Sequence, residues 1–169
     1  MRVRTKWVLM AFLGFLALLL AAGPALAEQK VKINGKRFGV VIDQSRHGVD
    51  DVKGHIVGIS VSEGVDVLFK STFRSISYLD GQMPKGGAIQ GWSTAIFPNG
   101  DKNFTRFEGR MEGKVGPNGQ PAMLMHGTWK FVSGTGKWAG VQGGGTFKGQ
   151  YLGKNIYTYD WQGEYSIKK

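Results

Sequence analysis

The stretch Lys130–Gly149, KFVSGTGKWAGVQGGGTFKG, decides how the chain is read. Seven of the sixteen residues from Gly134 to Gly149 are glycine. A phosphate-cradling loop, a flexible linker and a folded sheet all use glycine, for different physical reasons. A phosphate loop needs glycine, four residues, then Gly-Lys-Ser/Thr. Here Gly136-Lys137 runs into Trp138, and position 131 is Phe. A dinucleotide turn needs G-x-G-x-x-G opening a helix. Gly134, Gly136 and Gly140 have the wrong last gap, and strand-like sequence follows. A linker would not carry Trp138, Val141, Phe147 and Tyr151 between its glycines. The sheet reading remains, because glycines in strands mark bulges, bends or close approach of another group. A sheet that coils into a barrel needs such points. A turn is expected at Gly134-Thr135-Gly136 and a sharply bent strand through Gly143-Gly144-Gly145. At or beside Gly144 a bulge or a large packed apolar residue is expected.

The flanking segments agree. Before the glycines, Met123, Met125, Trp129 and Phe131 share one face, and His126, Thr128 and Lys130 the other. After them, Tyr157, Tyr159, Trp161, Tyr165 and Ile167 alternate with Thr158, Asp160, Gln162, Glu164 and Ser166. Period 2 kept this long is a strand with one apolar and one wet face. Further back, Asn99-Gly100 is a hairpin signal between two strand candidates. Asn34-Gly35 reads as a turn signal, with Phe38, Val40 and Ile42 on one face after it. Gln44–Gly54 reads as a polar loop. His55, Val57, Ile59 and Val61 fall in phase, as do Val65, Val67, Phe69 and Phe73. That last segment is long for one strand, so a bend or bulge is expected near Ser71. In all, the pattern predicts an all-β, antiparallel, about eight-stranded closed β-barrel in one domain, residues 28–169.

The residues that carry the sheet reading also carry a resemblance. Gly134–Gly149, with GTWKFVSGTG just before it and YDWQGEY near the end, resembles the glycine-and-aromatic signature of the allene oxide cyclase-like barrel group. That group includes plant dirigent proteins and exported bacterial proteins of unknown function. The likeness is strongest over Gly127–Tyr165, and Gly91–Gly113 is similar to the mid-chain hairpin of the bacterial members. It implies a calycin-like, eight-stranded barrel with an apolar lumen. Plant relatives are often trimers and act on hydrophobic small molecules. Their catalytic acids and arginines sit in motifs this sequence lacks, so no catalytic residue is assigned.

The ends and the charge bound the function. Arg2, Arg4 and Lys6 precede the 16-residue apolar run Trp7–Ala22, and Ala25 and Ala27 stand before Glu28. This is the form of a helical secretory signal peptide over residues 1–27, cleaved near Ala27. The run is shorter than the ~20 residues a membrane span needs. A periplasmic or secreted protein is expected. No cysteine is present, which excludes disulfides, thiolate metal sites and thiol catalysis. The formal net charge is +10. No acid lies between Glu112 and Asp160, whereas Lys114, Lys130, Lys137, Lys148 and Lys154 do. These lysines either keep strands soluble or offer an anionic surface a partner. Export argues against nucleic acid.

Four constellations could carry chemistry. His47, Asp50, Asp51 and His55 supply metal-ligand types at a spacing that matches no defined motif; a polar connection is the plainer reading. His126 sits on a polar face, where a solvated or hydrogen-bonded role is expected. Arg106, Glu108, Arg110 and Glu112 alternate on one face. Outward they form an ion-pair ladder; inward they would make a buried site. Phe107 and Met111 opposite them favour outward. Finally, Met123, Met125, Trp129, Phe131, Tyr157, Tyr159, Trp161 and Tyr165 could line an apolar ligand cavity. Their plain alternative is a filled core, since an eight-strand interior is just wide enough to be packed or hollow. No cofactor motif is found. The expectation is therefore an exported barrel binding a small hydrophobic ligand or a partner. A cyclase-like steering enzyme with a lipid-like substrate and a lysine-based surface binder are the alternatives, and the family resemblance makes a homo-oligomer a further expectation.

Overall fold

A computed structural model of the chain describes residues 29–49, 53–82, 84–115 and 121–168. The expected leader lies outside them. Eight antiparallel strands follow in chain order: β1 Val31–Gly48, β2 His55–Asp66, β3 Ser71–Gln82, β4 Gly86–Ile96, β5 Lys102–Val115, β6 Pro121–Gly134, β7 Val141–Tyr151 and β8 Ile156–Ile167. Each pairs with its neighbour in sequence. β1 also pairs with β8, from Val31↔Tyr165 to Val40↔Ile156, so the single sheet closes into a barrel-like ring. Closure gives every strand a partner on both sides over part of its length, which is how an all-β chain limits edge-to-edge association.

The ring has two different ends. At one, the β2–β3, β4–β5 and β6–β7 turns are short. Gly100 takes φ +85 in the β4–β5 turn, as the Asn99-Gly100 signal requires. A single 3-10 turn, Gly136–Trp138, joins β6 to β7. At the other end lie the β1–β2 and β7–β8 connections. Among the described residues, Val41, Phe73, Met111, Met125, Phe147, Tyr157 and Trp161 pack together as a buried core cluster.

Several expectations are corrected. Asn34-Gly35 is not a turn but part of β1, paired with Gln162 and Trp161. Glycine is needed there because a Cβ at Gly35 would come within 2.6 Å of the Trp161 ring. Gln44–Gly48 continues β1 as strand rather than loop, after a register shift between Val41 and Asp43. The long segment through Phe73 is two strands, not one bent strand. The chain reverses over Val67–Lys70, where the Phe69 amide donates to Asp66 Oδ1 at 3.1 Å and Lys70 takes φ +48. At the glycine triplet there is no register shift between β7 and β8. Gly143 takes φ +123, and pairing to β6 runs only as far as Gly144. Backbone, not a large apolar side chain, approaches Gly144 and Gly145. Neither the expected bulge nor a large packed residue is found at Gly144; instead one positive-φ glycine, Gly143, stands where β7 parts from β6.

Candidate functional site

Alternation along the strands sends every second residue into the ring. In β6 to β8 these are the large residues expected from sequence: Met125, Trp129, Phe131, Phe147, Tyr157, Tyr159 and Trp161. In β2 to β5 a row of hydroxyls runs among inward Phe73, Leu79, Ile89, Phe107 and Met111. Ser62 faces Ser75, Ser75 faces Ser93, and Ser93 faces Thr105, one hydroxyl per strand around half the circumference. A second row begins with Ser60 and Ser77, whose hydroxyls lie 2.8 Å apart. A cavity of about 120 Å³ remains inside the ring, lined by aromatic rings, aliphatic side chains and this row of hydroxyls. The interior is not filled.

One end of this space is closed by aromatic rings. Phe97 stacks on Trp138 at 4.8 Å, Phe69 meets Trp138 at 5.2 Å, and Phe69 stacks on Trp161 at 5.5 Å. Trp138 arrives from the 3-10 turn and is buried. The other end is lined by the exposed residues Gln44, Ser45, Arg46 and Lys154. The cavity therefore opens there, at a mouth that carries two cations. Tyr151 sits just inside, and burial raises its pKa against the opposing pull of Arg46.

Beneath the aromatic plug lies an ion pair. Arg37 Nε donates to Asp66 Oδ2 at 2.7 Å, with side chains 11% and 0% exposed. Its Nη1 donates to the Tyr159 hydroxyl at 3.2 Å. The guanidinium also stands 5.1 Å from the Phe73 ring centre and 5.9 Å from that of Trp161. Burial works to lower the Arg37 pKa. Attraction to the Tyr159 and Asp66 oxygens, with hydrogen bonds to both, outweighs it and raises the pKa. One step toward the mouth, burial pushes the Tyr157 hydroxyl up to about 12, helped by Tyr159 and partly offset by hydrogen bonds with Ser62 and Ser75. Tyr157 therefore stays neutral and ties the aromatic wall to the hydroxyl wall.

Three buried polar atoms in the cavity wall have no hydrogen-bond partner among the described residues: Ser93 Oγ, Asn103 Oδ1 and the Trp161 indole N–H. Such groups cost on the order of 1–3 kcal/mol each unless something in the cavity satisfies them.

Of the eight ligand-lining residues expected, six line the cavity. Met123 is partly buried and packs against the core cluster, and Tyr165 joins the plug at 5.3 Å from Trp138. Sequence reading missed Arg37, Asp66 and the serines. The serines had a signal, small residues kept in one phase, Gly58-Ser60-Ser62-Gly64 and Ser71-Ser75-Ser77.

The other constellations lie outside the ring. Arg106, Glu108 and Arg110 are exposed, as the outward reading expects. Glu112 is outside as well, accepting from His126 Nε2 at 3.0 Å and pairing with Lys114 at 3.2 Å. Among the described residues no Glu side chain is buried inside the ring; the buried acid there is Asp66, paired with Arg37. His47 meets Ser45 and His55 meets Asp80, while Asp50 and Asp51 lie outside the described residues. Among the described residues no three His, Asp or Glu side chains come together as a metal site would need. The lysines are spread over the β6 and β7 exterior and both ends rather than gathered in one patch.

Fold and site together define a small all-β protein with a closed ring of strands and a two-faced interior. No protein-family model matches the chain, and no curated protein matches it.

Proposed function

We propose that the chain is an exported β-barrel that binds a small, largely apolar, ring-bearing molecule in its lumen. The observation that carries this reading is the cavity of about 120 Å³ lined by aromatic rings and aliphatic side chains, with a row of hydroxyls along one side. A comparable cavity, of about 150 Å³, accepts benzene when its lining is apolar. Here the lining is split, so the favoured ligand has one flat face for Trp129, Tyr159 and Trp161 and a polar edge for Ser93 and Asn103. Burial of the ring supplies affinity, and the unpartnered polar atoms supply selectivity. The ligand enters past Arg46 and Lys154. The leader-like N-terminus and the glycine-and-aromatic signature support export and a place in the allene oxide cyclase-like, calycin-like group.

The test is native mass spectrometry of the mature domain purified from its own host. A single small-molecule adduct is expected on the wild type. It should be lost in Ser77→Phe, which puts a ring into the space between the walls, and kept in Thr128→Ala on the exterior. A folded wild-type domain that carries no adduct, and takes up no single-ring probe such as phenol or indole, would overturn the reading.

A further inference from the structure

The exterior of the ring is as divided as its interior. Around β5 to β8 many outward positions are charged or polar, as Arg106, Glu108, Lys130, Lys148 and Gln162 show. Around β1 to β4 large apolar residues stand among the outward charges. Phe38, Val40 and Ile42 on β1, Ile59 on β2, Ile76 on β3 and Trp92 on β4 are each between 39% and 55% exposed. They are contiguous across the sheet, since Ile76 lies directly opposite both Val61 and Trp92, and Phe38 opposite Val65. With Val65 and Tyr78 beside them, their exposed fractions come to on the order of 700 Å² at ordinary residue areas. That exceeds the few hundred Å² usual for the largest apolar patch of a monomer. It is close to the ~800 Å² per partner of a standard protein interface. Arg106 stands over the Trp92 ring at 5.9 Å and marks the border with the charged side.

We infer that this face is the contact between two copies of the chain related by a two-fold axis. Area alone would suit other partners; the charges within the band select this one. Glu63 and Arg74 stand opposite each other on β2 and β3, in the middle of the apolar surface. Their ion pair is loose, at 3.6 Å, with side chains 50% and 63% exposed. A patch with one anion beside one cation is complementary to its own copy turned by a two-fold rotation, so each Glu63 meets the other chain's Arg74. The lumen and its mouth are left free, because the apolar band lies on the wall and the mouth lies at one end.

Sedimentation equilibrium of the 28–169 chain, which holds every described strand, tests this. The wild type is expected to pass from one-chain to two-chain mass as concentration rises. Ile76→Glu and Trp92→Glu should leave a folded monomer, with unchanged circular dichroism in dilute solution. Arg74→Glu and Glu63→Arg, each measured alone, should weaken self-association by roughly tenfold or more. Mixed together, those two charge variants should recover a dimer, since each then meets its opposite across the interface. A one-chain mass at every concentration would overturn the proposal. So would a three-chain mass, a dimer indifferent to Ile76→Glu and Trp92→Glu, a mixture of charge variants that stays monomeric, or flotation with neutral phosphatidylcholine vesicles through these residues.

Discussion

At Arg37 the chain places a permanent charge where little water reaches it. The guanidinium is held by Asp66, by the Tyr159 hydroxyl and by two aromatic faces. Charges taken out of water are tolerated only when paired, and removing one partner leaves the other uncompensated. Arg37→Leu and Asp66→Asn should therefore each cost about 3–5 kcal/mol of unfolding free energy. The double variant should cost much less than their sum, which a urea-unfolding cycle measures. Additive losses would show that the two groups act independently. Sequence did not mark this pair. Lys36-Arg37 reads as ordinary surface charge, and Asp66 reads as a strand end, because nothing local reports that β2 ends where β1 carries its arginine inward. The aromatic half was legible for the opposite reason. Trp129, Tyr157 and Trp161 are large, period 2 is unbroken around them, and large residues in phase have few other places to go.

Among the elements, the 3-10 turn Gly136–Trp138 determines whether the closed end stays closed. Asp101 anchors it, accepting from the Lys137 amide at 3.0 Å and from Asn99 Nδ2 at 2.8 Å. Gly136, at φ +55, lies so close that a Cβ would overlap the Asp101 carboxylate. The Lys137 amide first, the Asn99 side chain next and the Lys137 charge after them lower the Asp101 pKa against a small burial effect. A lowered folded pKa gives stabilisation that is present above the ordinary carboxylate value and lost as pH falls through the lowered one. Protection of the Trp138 and Ala139 amides from hydrogen exchange should be constant from neutral pH down to about pH 4 and fall below it. In Asp101→Asn it should be weaker throughout and show no acid step. An unchanged acid step in that variant would assign the effect to another group. This hairpin end was legible because Asn99-Gly100 states its own geometry. The β2–β3 turn was not. Val67-Leu68-Phe69-Lys70 contains no glycine, proline or asparagine, and the reversal depends on the Asp66 side chain accepting from Phe69.

Across the whole molecule, the two halves of the ring are built in opposite senses. β6 to β8 put rings inside and charge outside. β1 to β4 put Phe38, Ile59, Ile76 and Trp92 outside, and inside they mix serine and glycine with Val41, Phe73, Leu79 and Ile89. Alternation gives the strands and their number, but it cannot say which phase faces in when the larger residues face out. Interior volume decides that, since a close-packed interior limits how many large residues can face in. The ring also has one costly contact. Seven pairings join neighbours in sequence, whereas β1–β8 joins Val31 to Tyr165 across almost the whole described chain. Loop-closure entropy grows with the length enclosed, so this seam should form last. Thr158 Oγ1 donates across it to the Arg37 carbonyl at 3.0 Å, and Ile33 packs beside it. Thr158→Val and Ile33→Ala should speed unfolding and barely change folding, with φ below about 0.3. Ile89→Ala and Phe107→Leu in the central β4–β5 hairpin should give φ above about 0.5 and slow folding instead. Stopped-flow chevrons on these four variants decide it. High φ at Thr158 and Ile33 would mean that the chain closes its ring early and fills the wall afterwards.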